Sequence, residues 1–176
     1  VRYPNILLKS LDQVITHGRP TLRNGTIRSR RGGQVVVRVF PSSIADRLLY
    51  WGFRGEVWMR KEVTIENLEK HMGGFYRQDN PKGSLVLVLG AGNVASIGLL
   101  DILTKLYVEG SVCLFKLNPV NEYLGVFIET ILADLIQSGF VRVVYGGSDV
   151  GEYLCQHPDI DEIHMTGSHL THDAIV

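Results

Sequence analysis

The chain has 176 residues, enough for one domain or for one domain with an appended segment, and a core of that size buries roughly two thirds of the unfolded surface. Its 18 basic residues balance 18 acidic ones, which excludes a strong global field for nucleic acid or an anionic membrane and leaves a small neutral or anionic ligand compatible. No run reaches the roughly 18 apolar residues that a membrane helix needs, and no N-terminal pattern reads as a secretion signal, so a soluble protein is expected.

Residues 1–83 have an uneven texture. An apolar opening (Ile6, Leu7, Leu8, Leu11, Val14, Ile15) gives way to a stretch carrying Arg19, Arg23, Arg28, Arg30 and Arg31 among Gly, Asn, Ser and Thr. No aromatic residue interleaves those charges, so the stretch reads as a solvated or oligomer-contacting loop rather than a nucleic-acid site. A β-branched run at 34–40, ending at Pro41, and a shorter one at 55–60 are strand candidates. Thr64 is placed to cap a helix carrying Ile65, Leu68, Met72, Phe75 and Tyr76 on one face, closing at Asn80-Pro81-Lys82-Gly83. That turn is the expected boundary between an N-terminal segment, 1–83, and an α/β domain, 84–176.

From Ser84 onward the alternation becomes regular. Residues 85–89 form a continuous apolar strand, as expected where helices cover both faces of a parallel sheet, and 94–108 read as the return helix. Residues 111–117 are the second strand, after which Asn118 as N-cap and Pro119 at the first helical position open a helix through Ser138, stopped by Gly139. Residues 141–145 are the third strand, Asp149 and Glu152 have the spacing of a capping box for a helix ending near His157, and 161–165 are the fourth strand. The fold class implied is α/β, a Rossmann-like open parallel sheet with helices on both faces. The first residue is Val1 and the last residues, Ala174-Ile175-Val176, read as the opening turns of a helix, so an incomplete piece of a longer protein is expected.

Gly90-Ala91-Gly92-Asn93-Val94-Ala95 fits the dinucleotide fingerprint G-x-G-x-x-A, after a strand and before a helix. Glycines there either let the backbone approach a pyrophosphate or merely let helix and strand pack closely. An ordinary dinucleotide fold also brings an acidic residue about 20 positions on to hold the ribose hydroxyls. Here the second strand ends in Lys116, Leu117 and Asn118, with no carboxylate.

Asn93, Lys116, the Gly146-Gly147-Ser148-Asp149-Val150-Gly151 turn, the run His157-Pro158-Asp159-Ile160-Asp161 and the strand end Thr166-Gly167-Ser168 together resemble the cofactor-binding half of the aldehyde dehydrogenase superfamily, over about residues 84–176. The resemblance implies that Lys116 meets the adenosine ribose hydroxyls, which removes the anomaly of the missing carboxylate, and that the cofactor is NAD or NADP. It implies that Gly146, Gly147 and Gly151 flank the adenine side, and that Thr166, Gly167 and Ser168 open a helix near the pyrophosphate. It gives Asn93 the role of oxyanion donor, against the plainer reading of a turn asparagine satisfying its own backbone. A small aldehyde or acyl-thioester substrate and a homo-oligomer follow from the same resemblance, with the nucleophilic cysteine and the general-base glutamate beyond Val176. The sequence departs from the family where Ala91-Gly92 and Val94-Ala95 surround Asn93 and where Pro119 stands three residues after Lys116, in place of a carboxylate.

The two cysteines, Cys113 and Cys155, read as packing residues inside apolar segments; they give no disulfide framework, and a reducing cytoplasm is the default location. His157, His164, His169 and His172, with Asp173, lack the convergence that zinc demands, so no metal is expected. Two other readings stand beside the enzyme: a non-catalytic nucleotide-binding or assembly module of the same fold, and an ordinary dinucleotide-fold dehydrogenase using Gly90 to Ala95 as its phosphate loop.

Overall fold

The computed structural model describes residues 2–23, 25–167 and 173, and the chain divides into two compact units, residues 5–77 and residues 1–4 with 78–176. Helix α1 (Arg2–His17) spans the apolar opening and ends at Gly18, whose positive φ of 71° and amide bond to the Val14 carbonyl (2.8 Å) close the last turn.

In the smaller unit, β1 (Ile27–Ser29), β2 (Val35–Phe40) and β3 (Gly55–Trp58) pair antiparallel in the order β1-β2-β3. Val35 and Val37 point to one face of β2 and pack with Val63 and Leu68 into a small core. Part of the arginine-rich stretch expected as a loop is therefore a hairpin, turned at Gly32 and Gly33, whose φ values of +97° and +84° favour glycine. Between β2 and β3 lies α2 (Ile44–Leu49), not anticipated, which opens with a capping box: Ser43 Oγ accepts from the Asp46 amide (3.0 Å), and Asp46 Oδ2 accepts from the Ser43 amide (3.0 Å).

The helix expected after Thr64 does not form. Thr64 and Asn67 bond each other's amides, Thr64 N to Asn67 Oδ1 (2.7 Å) and Asn67 N to Thr64 Oγ1 (3.3 Å), and only two short 3-10 turns follow, Leu68–His71 and Phe75–Arg77. Gly73, at φ +59°, separates them, and two adjacent glycines cost a helix about 2 kcal/mol relative to alanine.

The larger unit is the parallel sheet. It contains β4 (Leu85–Leu89), α3 (Ser96–Tyr107), β5 (Val112–Lys116), a 3-10 turn (Pro119–Leu124), α4 (Gly125–Ile131), α5 (Ala133–Gln137), β6 (Val141–Val144), α6 (Ser148–Cys155) and β7 (Glu162–Met165). The strand order is β6-β5-β4-β7, all parallel. Val86, Leu87 and Val88 are fully buried, as their continuous apolar run requires of a central strand. Two crossovers carry the chain one way across the sheet and the last one returns it past β4, so right-handed connections place α6 on the face opposite α3. Cys113 and Phe115 point towards α3, where Gly98 is indispensable: a Cβ there would come within 2.6 Å of the Phe115 ring. Lys105, on α3, is buried and bonds Glu109 (2.7 Å) and Glu162 of β7 (2.6 Å); burial opposes its charge, and the two carboxylates together overcome that, raising its pKa.

The long helix expected from Asn118 to Ser138 is broken. Asn118 does cap its start, accepting from the Val120 amide (3.1 Å), but the first turn is 3-10, the α-helix begins only at Gly125, and Leu132 interrupts it. Gly125 lies so close to the Tyr145 ring that a Cβ would collide with the hydroxyl. The capping box expected from Asp149 and Glu152 is absent, because Gly146 (φ +128°) and extended Gly147 start α6 at Ser148 and carry Asp149 inside its first turn. No helix among the described residues is long and apolar enough to cross a membrane.

Candidate functional site

In open α/β sheets the ligand crevice lies beyond the carboxyl ends of the strands, where the direction of winding reverses. Here that place is the end of β4, between β5 and β7. Two cavities open there, of about 470 Å³ and 560 Å³, and both are bounded by Leu89, Gly90 and Asn118, so they meet over the end of β4.

The first cavity is walled by Lys116 from the end of β5 and by Gly147, Gly151 and Cys155 from α6 and the turn before it. Lys116 is 6% exposed, and no acceptor among the described residues lies within hydrogen-bond distance of its ammonium. Burial holds its pKa below the ordinary 10.5, with the negative charges of Glu122 and Asp149 offsetting part of that effect. The side chain lines the cavity, where its ammonium is available to an acceptor. Gly151 opens the same wall: a Cβ built there meets no protein atom within 4 Å. Gly146 is not part of the lining; its amide donates to Glu122 Oε1 (2.8 Å), which fixes the turn beside the cavity.

Asn93, Thr166 and Gly167 line the second cavity, with Asn93 exposed on the loop between β4 and α3. Thr166 Oγ1 donates to Asp101 Oδ2 (3.3 Å), and His164 Nε2 lies 3.4 Å from Asp101 Oδ1. Ser168, with His169 and His172, lies outside the described residues. The structure thus groups Lys116, Gly147 and Gly151 on one cavity and Asn93, Thr166 and Gly167 on its neighbour.

The glycine turn at 90–95 is shaped by packing within the sheet. A Cβ on Gly90 would press on the Asn118 amide (3.1 Å) and the Lys116 carbonyl (3.2 Å), and one on Gly92 would meet the Asn118 side chain (3.1 Å). The helix does not begin until Ser96, and the residue that admits close helix packing is Gly98 rather than Ala95. Two polar residues not anticipated also build the site: Asn121, whose buried amide donates to the Ala91 carbonyl (2.9 Å), and Glu122. Their signal was the turn Asn118-Pro119 just ahead, which fixes where they point. Neither cysteine is in a thiolate's setting: burial pushes the Cys113 thiol up to about 11 and raises that of Cys155 as well.

The family model described as "Aldehyde dehydrogenase family" matches residues 59–176, two thirds of the chain and the whole of the sheet. The chain belongs to the aldehyde dehydrogenase family. Among curated relatives, it is 33% identical to the Homo sapiens 4-trimethylaminobutyraldehyde dehydrogenase over 60 residues, 34% of this chain and 12% of that enzyme. It is 24% identical to the Fusarium sp aldehyde dehydrogenase LUC3 over 126 residues, 70% of this chain and 26% of that protein. The matches therefore span between about an eighth and a quarter of these aldehyde dehydrogenases. No solved structure matches the chain.

Proposed function

We propose that this chain is the cofactor-binding portion of an NAD(P)-dependent aldehyde dehydrogenase, oxidising an aldehyde to an acid or reducing an acyl thioester. The observation that best supports the reading is Lys116, a largely buried side chain whose ammonium makes no hydrogen bond among the described residues, on the wall of a 470 Å³ cavity at the winding reversal of the sheet. The diol of an adenosine ribose has the acceptors that such a group lacks, and Gly151 leaves room beside it. A lysine also tolerates a 2′-phosphate, which keeps NADP beside NAD.

In this reading Lys116, Gly146, Gly147 and Gly151 serve the adenosine end, while Thr166, Gly167 and Ser168 serve the pyrophosphate. When bound, the oxidised dinucleotide would supply the two-electron oxidant for an aldehyde, or the reduced dinucleotide the two-electron reductant for an acyl thioester. Asn93, at the neighbouring cavity, donates its side-chain amide to the oxyanion that forms when a thiolate adds to the substrate carbonyl, a contribution of about 3–4 kcal/mol to the barrier. The thiolate belongs to a cysteine other than Cys113 and Cys155, whose thiol pKa values burial raises. The reading keeps the cytoplasm as location, a homo-oligomer as assembly and a domain boundary near residue 83.

The test is the full natural chain assayed for aldehyde-dependent NAD(P)H formation. Asn93→Ala is expected to lower kcat by about a hundredfold or more while leaving dinucleotide affinity near its original value. An unchanged kcat removes Asn93 from the chemistry. A second reading is a nucleotide-binding or assembly module of the same fold without catalysis. That reading requires calorimetric dinucleotide binding by the full chain with no turnover of any aldehyde.

A further inference from the structure

The two cavities at the end of β4 are bounded on one side by the loop that carries Asn93 and on the other by Gly147, which follows Gly146 in the turn before α6. Both are tied to consecutive residues of one short 3-10 turn, Pro119–Leu124. Asn121, 7% exposed, donates from Nδ2 to the carbonyls of Ala91 (2.9 Å) and Gly92 (3.3 Å). Glu122 accepts the Gly146 amide at Oε1 (2.8 Å). The turn is itself anchored, by Pro119 with its fixed φ, by Asn118 Oδ1 accepting from the Val120 amide (3.1 Å) and by the Asn121 amide bonding the Asn118 carbonyl (2.8 Å).

We propose that Asn121 and Glu122 form a two-armed clamp of positioning residues, Asn121 holding the Asn93 loop and Glu122 holding the Gly146 turn, so that one rigid turn sets the spacing between the two halves of the cleft. The inference rests on the dinucleotide reading given above. The loop held by Asn121 has no regular structure from Gly90 to Val94; the Val94 carbonyl is held by the Ile97 amide of α3 (3.2 Å), and the Ala91 and Gly92 carbonyls by Asn121. The two arms act on different cavities, and their effects separate. Loss of the Asn121 arm lets Asn93 wander, and a misplacement of about 1 Å at a reacting group lowers turnover by up to about a hundredfold. Loss of the Glu122 arm frees the turn on the adenosine side and weakens dinucleotide binding by roughly tenfold.

The experiment uses the full natural chain with NAD(P) and an aldehyde, scaling rates to the folded fraction from thermal melts. Asn121→Ala, and the near-isosteric Asn121→Asp, which cannot donate, are expected to lower kcat at least tenfold with the dinucleotide KM changed less than threefold. Glu122→Ala is expected to raise the dinucleotide KM about tenfold at near-constant kcat, and Glu122→Gln, which still accepts the Gly146 amide, to bring KM back. Equal constants in all four variants, or parallel losses of kcat and rises of KM whichever arm is cut, overturn the clamp. A natural protein that binds no dinucleotide by calorimetry overturns the functional reading and the clamp with it, whereas unaltered variants of a protein that binds and turns over overturn the clamp alone.

Discussion

Replacing Lys116 by methionine separates a lysine that serves a ligand from one that serves the fold, because the two roles predict changes of opposite sign. The side chain is 6% exposed and burial lowers its pKa, so in the unliganded protein its charge is a burden. Methionine fills much the same volume without that charge, and exchanging buried ionic groups for packed apolar ones is neutral or stabilising by about 1–4 kcal/mol. Taking the lower end, Lys116→Met raises the melting temperature of the unliganded protein by about 3 °C. The same substitution removes hydrogen bonds from a charged donor to the ribose, about 1.5–3 kcal/mol, and weakens NAD(P) binding by roughly 10- to 100-fold. Thermal melts with and without dinucleotide, together with calorimetry, read both quantities. A variant that melts lower than the parent and binds as tightly refutes the argument.

The pH dependence of Lys116 follows from the direction of its shift. Burial lowers the folded pKa from 10.5, so between the lowered value and 10.5 the unfolded chain binds more protons. The penalty is fully present below the folded pKa, and stability rises with pH through that window. A ligand that supplies acceptors pulls the pKa back up, so dinucleotide affinity falls as pH rises through the same window. Lys116→Met abolishes both slopes.

Two glycines are expected to behave in contrasting ways. Gly98→Ala drives a methyl into the Phe115 ring and should cost about 1–3 kcal/mol of stability by overpacking, visible as a lower melting temperature, whereas Gly151→Ala, inside α6 and meeting no protein atom, should stabilise by about 0.5–1 kcal/mol, raise the melt and weaken dinucleotide binding. The cysteines give a chemical check. With its thiol pushed up to about 11 and 2% exposed, Cys113 should resist iodoacetamide at pH 8 in the native protein, with Cys155 modified faster, as read by peptide mass spectrometry.

The parallel sheet was legible in the sequence because one signal dominates it. A five-residue apolar run such as Leu85–Leu89, followed by glycine and a helix of amphipathic spacing, has few other ways to bury itself. The N-terminal segment was harder because local side-chain bonds override periodicity there. The apolar spacing from Ile65 to Tyr76 suits a helix, but the Thr64–Asn67 pair and Gly73 break it into 3-10 turns. The β1 hairpin was hidden by its arginines, and α2 by its lack of any buried residue, although its Ser43–Asp46 cap is written in the sequence.

Within the candidate site, the strand-end positions of Lys116 and Thr166 follow from the strand pattern, which marks where each strand stops. The reach of Asn121 to a carbonyl 30 residues earlier does not, because it depends on how two loops approach after the sheet has formed. Gly98 shows the same limit. Its neighbour across the interface, Phe115, is visible only once α3 lies on β5.

The strand order also dictates a sequence of events as the polypeptide leaves the ribosome. Ser84 and Ser111, which bridge β4 to β5, are 27 residues apart, whereas Asp161 reaches back 76 residues to bond the Leu85 amide where β4 meets β7. Ring closure over the longer span costs more entropy, and the residues that achieve it are synthesised last. The β4–β5 pair therefore closes over a short span, whereas both halves of the crevice, one walled by α6 and the other by the end of β7, depend on the last crossover of the sheet.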